Sequence, residues 1–146
     1  MSFDAYGCMS PIRILIVEDD VLIGLDVEQV LIAAGYDVCG VATSEFEALA
    51  LTVRFRPQMA IVDISLSPGD GRVAARQLCD RYGTAVLFAT GQCREVQAMI
   101  VAGAVACLPK PYDPEDVPAA LTAVAHLVLG DHLERLPDHM FALAAA

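Results

Sequence analysis

Carboxylates, a hydroxyl and an ammonium stand directly after apolar runs of the sequence. Glu18 and Asp19 follow one such run, and Asp63 follows another. Thr90 and Lys110 follow two later runs in the same way. Neighbouring carboxylates repel each other, and a divalent cation such as Mg2+, which prefers hard oxygen ligands, removes that cost. These residue types therefore predict a Mg2+ site in which a carboxylate could attack phosphorus and form an acyl phosphate.

The ammonium and the hydroxyl match the remaining needs of a phosphoryl transfer. Lys110 opposite a cation would neutralise the transferring group, and Thr90 could donate a hydrogen bond to one of its oxygens. Each residue also has a structural explanation. Glu18 and Asp19 could be exposed loop acids, and Asp63 could cap a helix. Thr90 could bond only the backbone, and Lys110 could be a solvated residue before a turn. Their combination favours the chemical interpretation.

The elements that must position these residues alternate along the chain. Continuous apolar runs predict buried strands at 12–17, 36–43, 59–63, 85–89 and 105–108. Helical spacing with caps and stops predicts helices at about 21–34, 44–55, 72–82 and 94–102. A last helix is predicted with Asp113 as its N-cap and Pro114 as its first residue. Five strands alternating with five helices predict an α/β fold, a doubly wound parallel sheet with right-handed crossovers. Ligands of such sheets bind outside the carboxyl ends of the strands, where the polar residues stand.

Length and composition set further bounds. The 146 residues suit one compact domain, predicted at 11–129, with an N-terminal extension at 1–10 and a partly helical tail at 130–146. Hydrophobic residues make up 56% of the sequence. No uncharged run reaches the about 18 residues that a membrane-spanning helix needs. The hydrophobicity therefore indicates a covered sheet, and no membrane contact is predicted.

Charge and the first residues restrict the partners and the compartment. The formal net charge is -10, from 19 acidic and 9 basic residues, and no cluster of Lys and Arg interrupts it. Such a field repels nucleic-acid phosphates and suits divalent cations and basic protein surfaces. No direct contact with nucleic acid is predicted. The first ten residues lack the pattern of a secretory signal, so we predict a cytoplasmic protein.

The cysteines give no sign of a bridged or metal-bound framework. Their number is odd and no C-x-x-C pair occurs: Cys8, Cys39, Cys79, Cys93 and Cys107. Neither a disulfide framework nor a thiolate zinc site is indicated. Reduced, buried thiols are the prediction for this chain.

Four segments resemble the signature blocks of receiver domains, the CheY-like domains of two-component response regulators. They are ILIVEDD (14–20), IVDISLSPGDG (61–71), LFATG (87–91) and LPKPY (108–112). The resemblance extends from about residue 11 to 129 and implies a flavodoxin-like sheet of strand order 2-1-3-4-5. It also implies a signalling switch that catalyses only its own phosphoryl transfer and dephosphorylation, rather than an enzyme.

The resemblance assigns the acidic residues to the acceptor and the metal. It implies that Asp63 is the phosphorylated residue. Asp19 and Asp63 would bind Mg2+ directly, together with the main-chain carbonyl of Ser65, while Glu18 would act mainly through bound water. Asp20 is expected to cap a helix rather than bind the metal.

Lys110 and Thr90 complete the site that the resemblance implies, and the sequence departs from the family around them. Lys110 would pair with Asp63 or its phosphate, and Thr90 would be the switch hydroxyl. Cys107 stands three residues before Lys110, where the family usually has an aromatic residue that moves inward with the switch hydroxyl. The usual output motion is therefore in question, although phosphorylation is not.

Two further departures concern loops. Pro68 lies five residues after Asp63, whereas many family members have the loop proline at four. The FATG sequence and the following KPY are similar to an alphaproteobacterial subgroup of receivers, with Gln92 in place of its usual Gly or Tyr. The position of Pro68 predicts a local difference in the loop after Asp63.

The resulting hypothesis is a stand-alone receiver domain. Its expected partners are a histidine kinase or histidine phosphotransfer protein and an unidentified downstream protein; a homodimer is left open. A phosphohydrolase acting on external substrates is the main alternative, but the D-x-D pattern typical of dehalogenase-like phosphatases is missing after Asp63. A nucleotide- or flavin-binding domain is remote because neither a G-x-G-x-x-G nor a Walker sequence occurs.

Overall fold

A computed structural model of the chain describes residues 2–3, 9–93, 104–129 and 141–142. Five longer strands and four helices alternate along these residues, which confirms the predicted α/β order. The strands are β1 (Arg13–Val17), β2 (Asp37–Ala42), β3 (Met59–Val62), β4 (Ala85–Thr90) and β5 (Ala104–Pro109). The helices are α1 (Val21–Ala33), α2 (Glu45–Phe55), α3 (Gly71–Tyr82) and α4 (Val117–Leu129). The helix predicted at 94–102 lies outside the described residues.

The five strands form one parallel sheet in the order β2-β1-β3-β4-β5, as expected for the flavodoxin-like arrangement. β1 and β3 pair at its centre, with Val17 opposite Val62. Because the strands all run in one direction, their carboxyl ends meet at a single edge of the sheet. The residues that follow Val17 and Val62 are therefore neighbours in space.

Helices cover both faces of the sheet, which explains why its strands are almost wholly apolar. Alternate residues of β1 enter two separate cores. Leu15 and Val17 pack with residues of α2 and α3 on one face. Ile14 and Ile16 pack with residues of α1 and α4 on the other face. Four consecutive buried side chains in β1 and four in β3 hold the central strands rigidly beneath the site.

Short polar side chains begin the helices. Asp20 Oδ1 accepts hydrogen bonds from the N–H groups of Leu22 and Ile23, which confirms its predicted role as a helix cap. Ser44 Oγ accepts from the Glu47 N–H at the start of α2. Asp113 caps a single 3-10 turn, Pro114–Asp116, that leads into α4. These caps fix where the chain turns away from the carboxyl edge.

Replacing Asp70, the cap of α3, with alanine is expected to lower the free energy of unfolding by about 1 kcal/mol. Asp70 Oδ1 accepts from the Arg72 N–H at 2.8 Å. The Arg72 side chain also bonds this carboxylate and lowers the pKa of Asp70 below its ordinary 3.8. The native state thus binds this proton less readily than the unfolded chain does. The deficit of the variant should be full above pH 3.8 and should shrink as the pH falls through the native pKa.

Urea denaturation across that pH range measures the effect. Asp70→Asn is the matched control, because asparagine caps a helix about as well as aspartate but carries no charge. A deficit in Asp70→Ala that does not change with pH would show that the carboxylate charge contributes nothing.

The terminal segments add short antiparallel pairs. Ser2–Phe3 pairs with Met9–Ser10. Phe141–Ala142 pairs with β5, with Ala142 opposite Ala106. Most of the tail predicted to be partly helical lies outside the described residues. None of the described helices is both long enough and apolar enough to span a membrane.

The prediction of reduced thiols is wrong for two cysteines, since Cys93 and Cys107 form a disulfide bond. Cys39 and Cys79 are free, and Cys8 lies outside the described residues. The two bonded residues are 14 positions apart and meet because β5 lies beside β4. Local spacing rules such as C-x-x-C do not detect a pair brought together by the order of strands.

Candidate functional site

An acidic cluster lies where β1 and β3 end. Glu18, Asp19 and Asp63 each present a carboxylate oxygen, and these atoms lie within 4.8 Å of one another. Glu18 and Asp63 are buried, whereas Asp19 is partly exposed. The structure thus brings together the three acidic side chains that the sequence predicted to be neighbours.

The backbone holds these residues through the continued pairing of the strands. The Asp63 N–H donates to the Val17 carbonyl, and the Glu18 N–H donates to the Ala42 carbonyl, both at 2.9 Å. Each acid therefore takes its place from the strand beside it. Ser65 N–H donates to Asp63 Oδ1 at 3.1 Å and fixes the orientation of that carboxylate.

Lys110 projects into the cluster from the end of β5 and is the only lysine of the sequence. Its Nζ lies 2.7 Å from Glu18 Oε2 and 2.8 Å from Asp63 Oδ2. The Lys110 N–H donates to the Thr90 carbonyl, which continues the pairing of β4 and β5. The peptide bond between Lys110 and Pro111 is cis. One ammonium is thus shared between two buried carboxylates.

The Lys110 ammonium offsets only part of the cost of burying the Glu18 carboxylate, as its pKa shows. Burial raises the pKa of Glu18, and the opposing bond and charge of Lys110 do not cancel that effect. For Lys110, burial would lower the pKa, but its bonds to Asp63 and Glu18 outweigh burial and raise it. The raised pKa of Lys110 and the raised pKa of Glu18 are compatible. Lys110 stays charged, but its one positive charge is divided between Glu18 and Asp63. Burial, with a smaller effect of the Glu18 charge, also raises the pKa of nearby Tyr112 to about 12.

The donor set fits a divalent cation. Three carboxylates and one ammonium leave two negative charges unbalanced in a largely buried place. Oxygen ligands of this kind, one or two of them carboxylates, are what Mg2+ prefers, with water completing its shell. Receiver domains typically bind Mg2+ at such a cluster, and this cluster has the charge and the ligands for it.

Thr90 lies at the end of β4 and is buried. Its Oγ1 accepts a hydrogen bond from the Gln92 N–H at 3.3 Å. Gln92 Nε2 in turn donates to Ser65 Oγ at 2.8 Å, linking the loop after β4 to the loop after β3. In the sequence Gln92 stands out only as a departure from a receiver subgroup, and its link to Ser65 is not predicted. Nothing in its spacing from Ser65 could have revealed it.

Gly71 permits the close approach of α3 to Asp63, and Gly71→Ala is expected to damage the site. A Cβ on this buried residue would collide with the backbone carbonyl of Asp63 and with the Ile64 backbone. Because backbone atoms cannot rotate aside, we expect a loss of about 2–3 kcal/mol in unfolding free energy. Gly91→Ala is the matched control, since a Cβ there meets open space. Equal stability of the two variants in urea would contradict the expectation.

The loop between β3 and α3 contains Pro68, whose position predicted a local difference from other receivers. The bond between Ser67 and Pro68 is cis, and Gly69 has a φ of 113°, which favours glycine. The Asp70 N–H donates to Glu45 Oε2 at 3.4 Å and ties this loop to α2.

Fold and site together define a doubly wound domain with an acidic, lysine-paired pocket at its carboxyl edge. The family model of the response regulator receiver domain matches residues 14–122. The chain therefore belongs to the receiver domains of two-component response regulators. Members of this family are signalling switches that are phosphorylated by histidine kinases and interact with partner proteins.

Relatives and solved structures agree with the family. The transcriptional regulatory protein PdtaR of Mycobacterium tuberculosis is 35% identical over 118 residues, which cover 79% of this chain but only 58% of PdtaR. Chemotaxis protein CheY of Thermotoga maritima is 31% identical over 116 residues, covering 77% of this chain and 97% of CheY. The crystal structure of a CheY-like receiver domain protein from Methanospirillum hungatei has a TM-score of 0.73 at 28% identity. That match covers 83% of this chain and 99% of the other.

Proposed function

We propose that Asp63 accepts a phosphoryl group from a histidine kinase or a histidine phosphotransfer protein. The chain then signals as a single-domain response regulator, through protein contacts that depend on phosphorylation. The observation that carries the proposal is the environment of Asp63. Its buried carboxylate lies within 4.8 Å of two other acids and 2.8 Å from Lys110 Nζ, at the carboxyl edge of the sheet.

In this proposal the acidic residues divide between attack and metal binding. Asp63 is the nucleophile, and its oxygen forms the new bond to phosphorus as the bond from phosphorus to the donor breaks. Asp19 and Asp63 would hold Mg2+ directly with the Ser65 carbonyl, and Glu18 would act mainly through water. When bound, Mg2+ supplies positive charge to the oxygens of the transferring group.

Lys110 and Thr90 act on the phosphoryl group itself. The Lys110 ammonium, already 2.8 Å from Asp63 Oδ2, moves its pairing to a phosphoryl oxygen once the carboxylate is phosphorylated. Thr90 donates its hydroxyl hydrogen to another phosphoryl oxygen. To do so, the Thr90 side chain moves toward the phosphoryl group. Because the Gln92 N–H donates to the same hydroxyl in the unphosphorylated chain, this movement also changes the loop after β4. The balance between two conformations of this region then shifts, and a partner detects the shift.

The partner surfaces are proposed to be protein. A net charge of -10 repels nucleic acid and favours a basic protein face. We expect this chain to act in the cytoplasm, where histidine kinases present their phosphohistidine.

A small-molecule phosphodonor such as acetyl phosphate tests the proposal directly. With Mg2+ the purified chain should gain one phosphoryl group in its intact mass, and the adduct should be stable in acid and labile in base. Without Mg2+ the gain should be lost. No adduct from a folded, Mg2+-binding chain would refute phosphorylation. Release of phosphate from a small phosphoester well beyond one equivalent would instead support the phosphohydrolase alternative.

A further inference from the structure

In the sequence, the two cysteines of the Cys93–Cys107 disulfide lie between the two residues proposed to contact the phosphoryl group, Thr90 and Lys110. Cys93 follows Thr90 by three positions, and Cys107 precedes Lys110 by three. Both cysteines are buried, with 5% and 0% of their surface exposed. Cys107 also occupies the position where receiver domains usually have the aromatic residue of the switch. Where the resemblance to receiver domains predicts an aromatic side chain, this chain therefore has one partner of a covalent bond.

The disulfide restrains the residues that follow Thr90, which must move when Thr90 turns toward the phosphoryl group. It joins Cys93, three residues past the end of β4, to Cys107 in β5, 14 positions further along the chain. Cys93 Sγ lies 3.6 Å from the Thr90 carbonyl oxygen. In the disulfide this sulfur has no hydrogen, so the approach is only a contact. After reduction the Cys93 thiol could donate a weak hydrogen bond to the same carbonyl, so the reduced form also has a partner for its sulfur.

We propose that Cys93 and Cys107 form a reversible thiol–disulfide switch. It sets how far residues 90–93, here called the Thr90 segment, can respond to phosphorylation. This inference rests on the proposed function of Asp63. The oxidised pair tethers the segment to β5 and suppresses the response, and the reduced pair permits it. Disulfides of compartments that keep thiols reduced are mostly transient and redox-sensing, which agrees with a reversible bond.

The chemistry is an exchange with a small-molecule disulfide such as glutathione disulfide. A thiolate of the pair attacks one sulfur of the reagent, and the second thiolate attacks the resulting mixed disulfide. One protein disulfide forms, the S–S bond of the reagent breaks, and its two leaving thiolates take up the two protons that the protein thiols lose. A small-molecule dithiol reverses both steps. We expect Cys93 to be the thiolate that attacks the reagent first. It is the less buried member of the pair and follows the exposed residues Gly91 and Gln92.

The other described cysteines are poor competitors for this exchange. Burial, and to a lesser degree the charge of Asp80, raises the pKa of Cys79 to about 11. Burial and the charge of Asp37 also raise the pKa of Cys39. Thiolate is the reactive form, so both react slowly at neutral pH.

The test compares the oxidised and the reduced wild-type chain, which avoids any folding defect of a variant. Glutathione disulfide or a dithiol sets the redox state, and peptide mapping identifies the bonded pair. Hydrogen–deuterium exchange of residues 91–107 then measures the restraint without any phosphate. We expect exchange there to be about tenfold slower in the oxidised chain, because the cross-link limits local opening. Acetyl phosphate with Mg2+ should change this exchange in the reduced chain and change it much less in the oxidised chain.

Cys93→Ala is the matched variant and should respond to acetyl phosphate whatever the redox reagent. The proposal is overturned if mapping finds no Cys93–Cys107 bond with glutathione disulfide. It is also overturned if both redox states exchange equally and respond equally. No adduct on Asp63 in either state would count against the proposed function instead. In that case the exchange difference between redox states alone upholds or overturns the restraint.

Discussion

Asp63→Asn is expected to abolish the phosphoryl adduct completely while leaving the chain folded. Asparagine has no carboxylate to attack phosphorus, so no acyl phosphate can form. The fold should tolerate the change, because Lys110 keeps Glu18 as its partner and the amide oxygen can still accept from Ser65 N–H. We expect a change in unfolding free energy within about 1 kcal/mol. Intact mass after treatment with acetyl phosphate and Mg2+ measures the adduct.

Asp19→Asn is the matched control, because it removes a proposed metal ligand and keeps the proposed acceptor. This variant should form the adduct slowly, and its rate should recover as the Mg2+ concentration is raised. Asp63→Asn should not recover at any Mg2+ concentration. An adduct of normal yield on Asp63→Asn would place the acceptor elsewhere and would remove the basis of the proposed function.

Lys110→Met is expected to lower the free energy of unfolding by about 2–4 kcal/mol in the absence of divalent cations. The side chains of Glu18 and Asp63 are only 6% and 7% exposed, so removing the ammonium leaves two buried carboxylates without their neutralising partner. Losing one partner of a fully buried ion pair costs about 3–5 kcal/mol. The expected loss starts lower because the Lys110 side chain is 20% exposed. Methionine keeps most of the apolar stem, so the measured loss reports the charge.

Mg2+ should restore much of that loss, because the cation replaces the missing positive charge and binds only the folded site. Urea denaturation with and without Mg2+ should therefore show a larger stabilisation by Mg2+ in Lys110→Met than in the wild type. The double variant Glu18→Gln with Lys110→Met is the control, since it removes one of the two orphaned carboxylates and should regain stability without metal. If Lys110→Met is as stable as the wild type and gains nothing extra from Mg2+, the ammonium does not balance these acids.

The sequence predicted the sheet well because buried parallel strands leave a strong pattern. Every residue of β3 is buried, and its apolar run was recognisable without any tertiary information. The same reasoning predicted that Glu18, Asp19 and Asp63 would be neighbours, since residues after central strands share one edge. Asp20 was assigned to helix capping rather than to the metal, and its bonds to Leu22 and Ile23 agree.

The features that the sequence does not predict depend on contacts between separate segments of the chain. The Cys93–Cys107 bond and the bond from Gln92 to Ser65 join residues far apart in the chain. No periodicity or local motif encodes such meetings. The close approach of Gly71 to Asp63 was also missed, because a glycine before a helix was interpreted only as a turn former. What a sequence pattern specifies is the layer and the edge, and what it leaves open is which loops meet there.

Both outer strands of the sheet, as far as the chain is described, are poorly suited to pairing with another copy. Phe141–Ala142 occupies the free side of β5 beside Ala106 and Cys107. On the opposite side, the register of β2 shifts between Val38 and Gly40, which interrupts a straight row of free N–H and carbonyl groups. Uninterrupted sheet edges are the usual template for aggregation. Among the described strands, a covered edge and an interrupted edge therefore disfavour edge-to-edge pairing with a second copy.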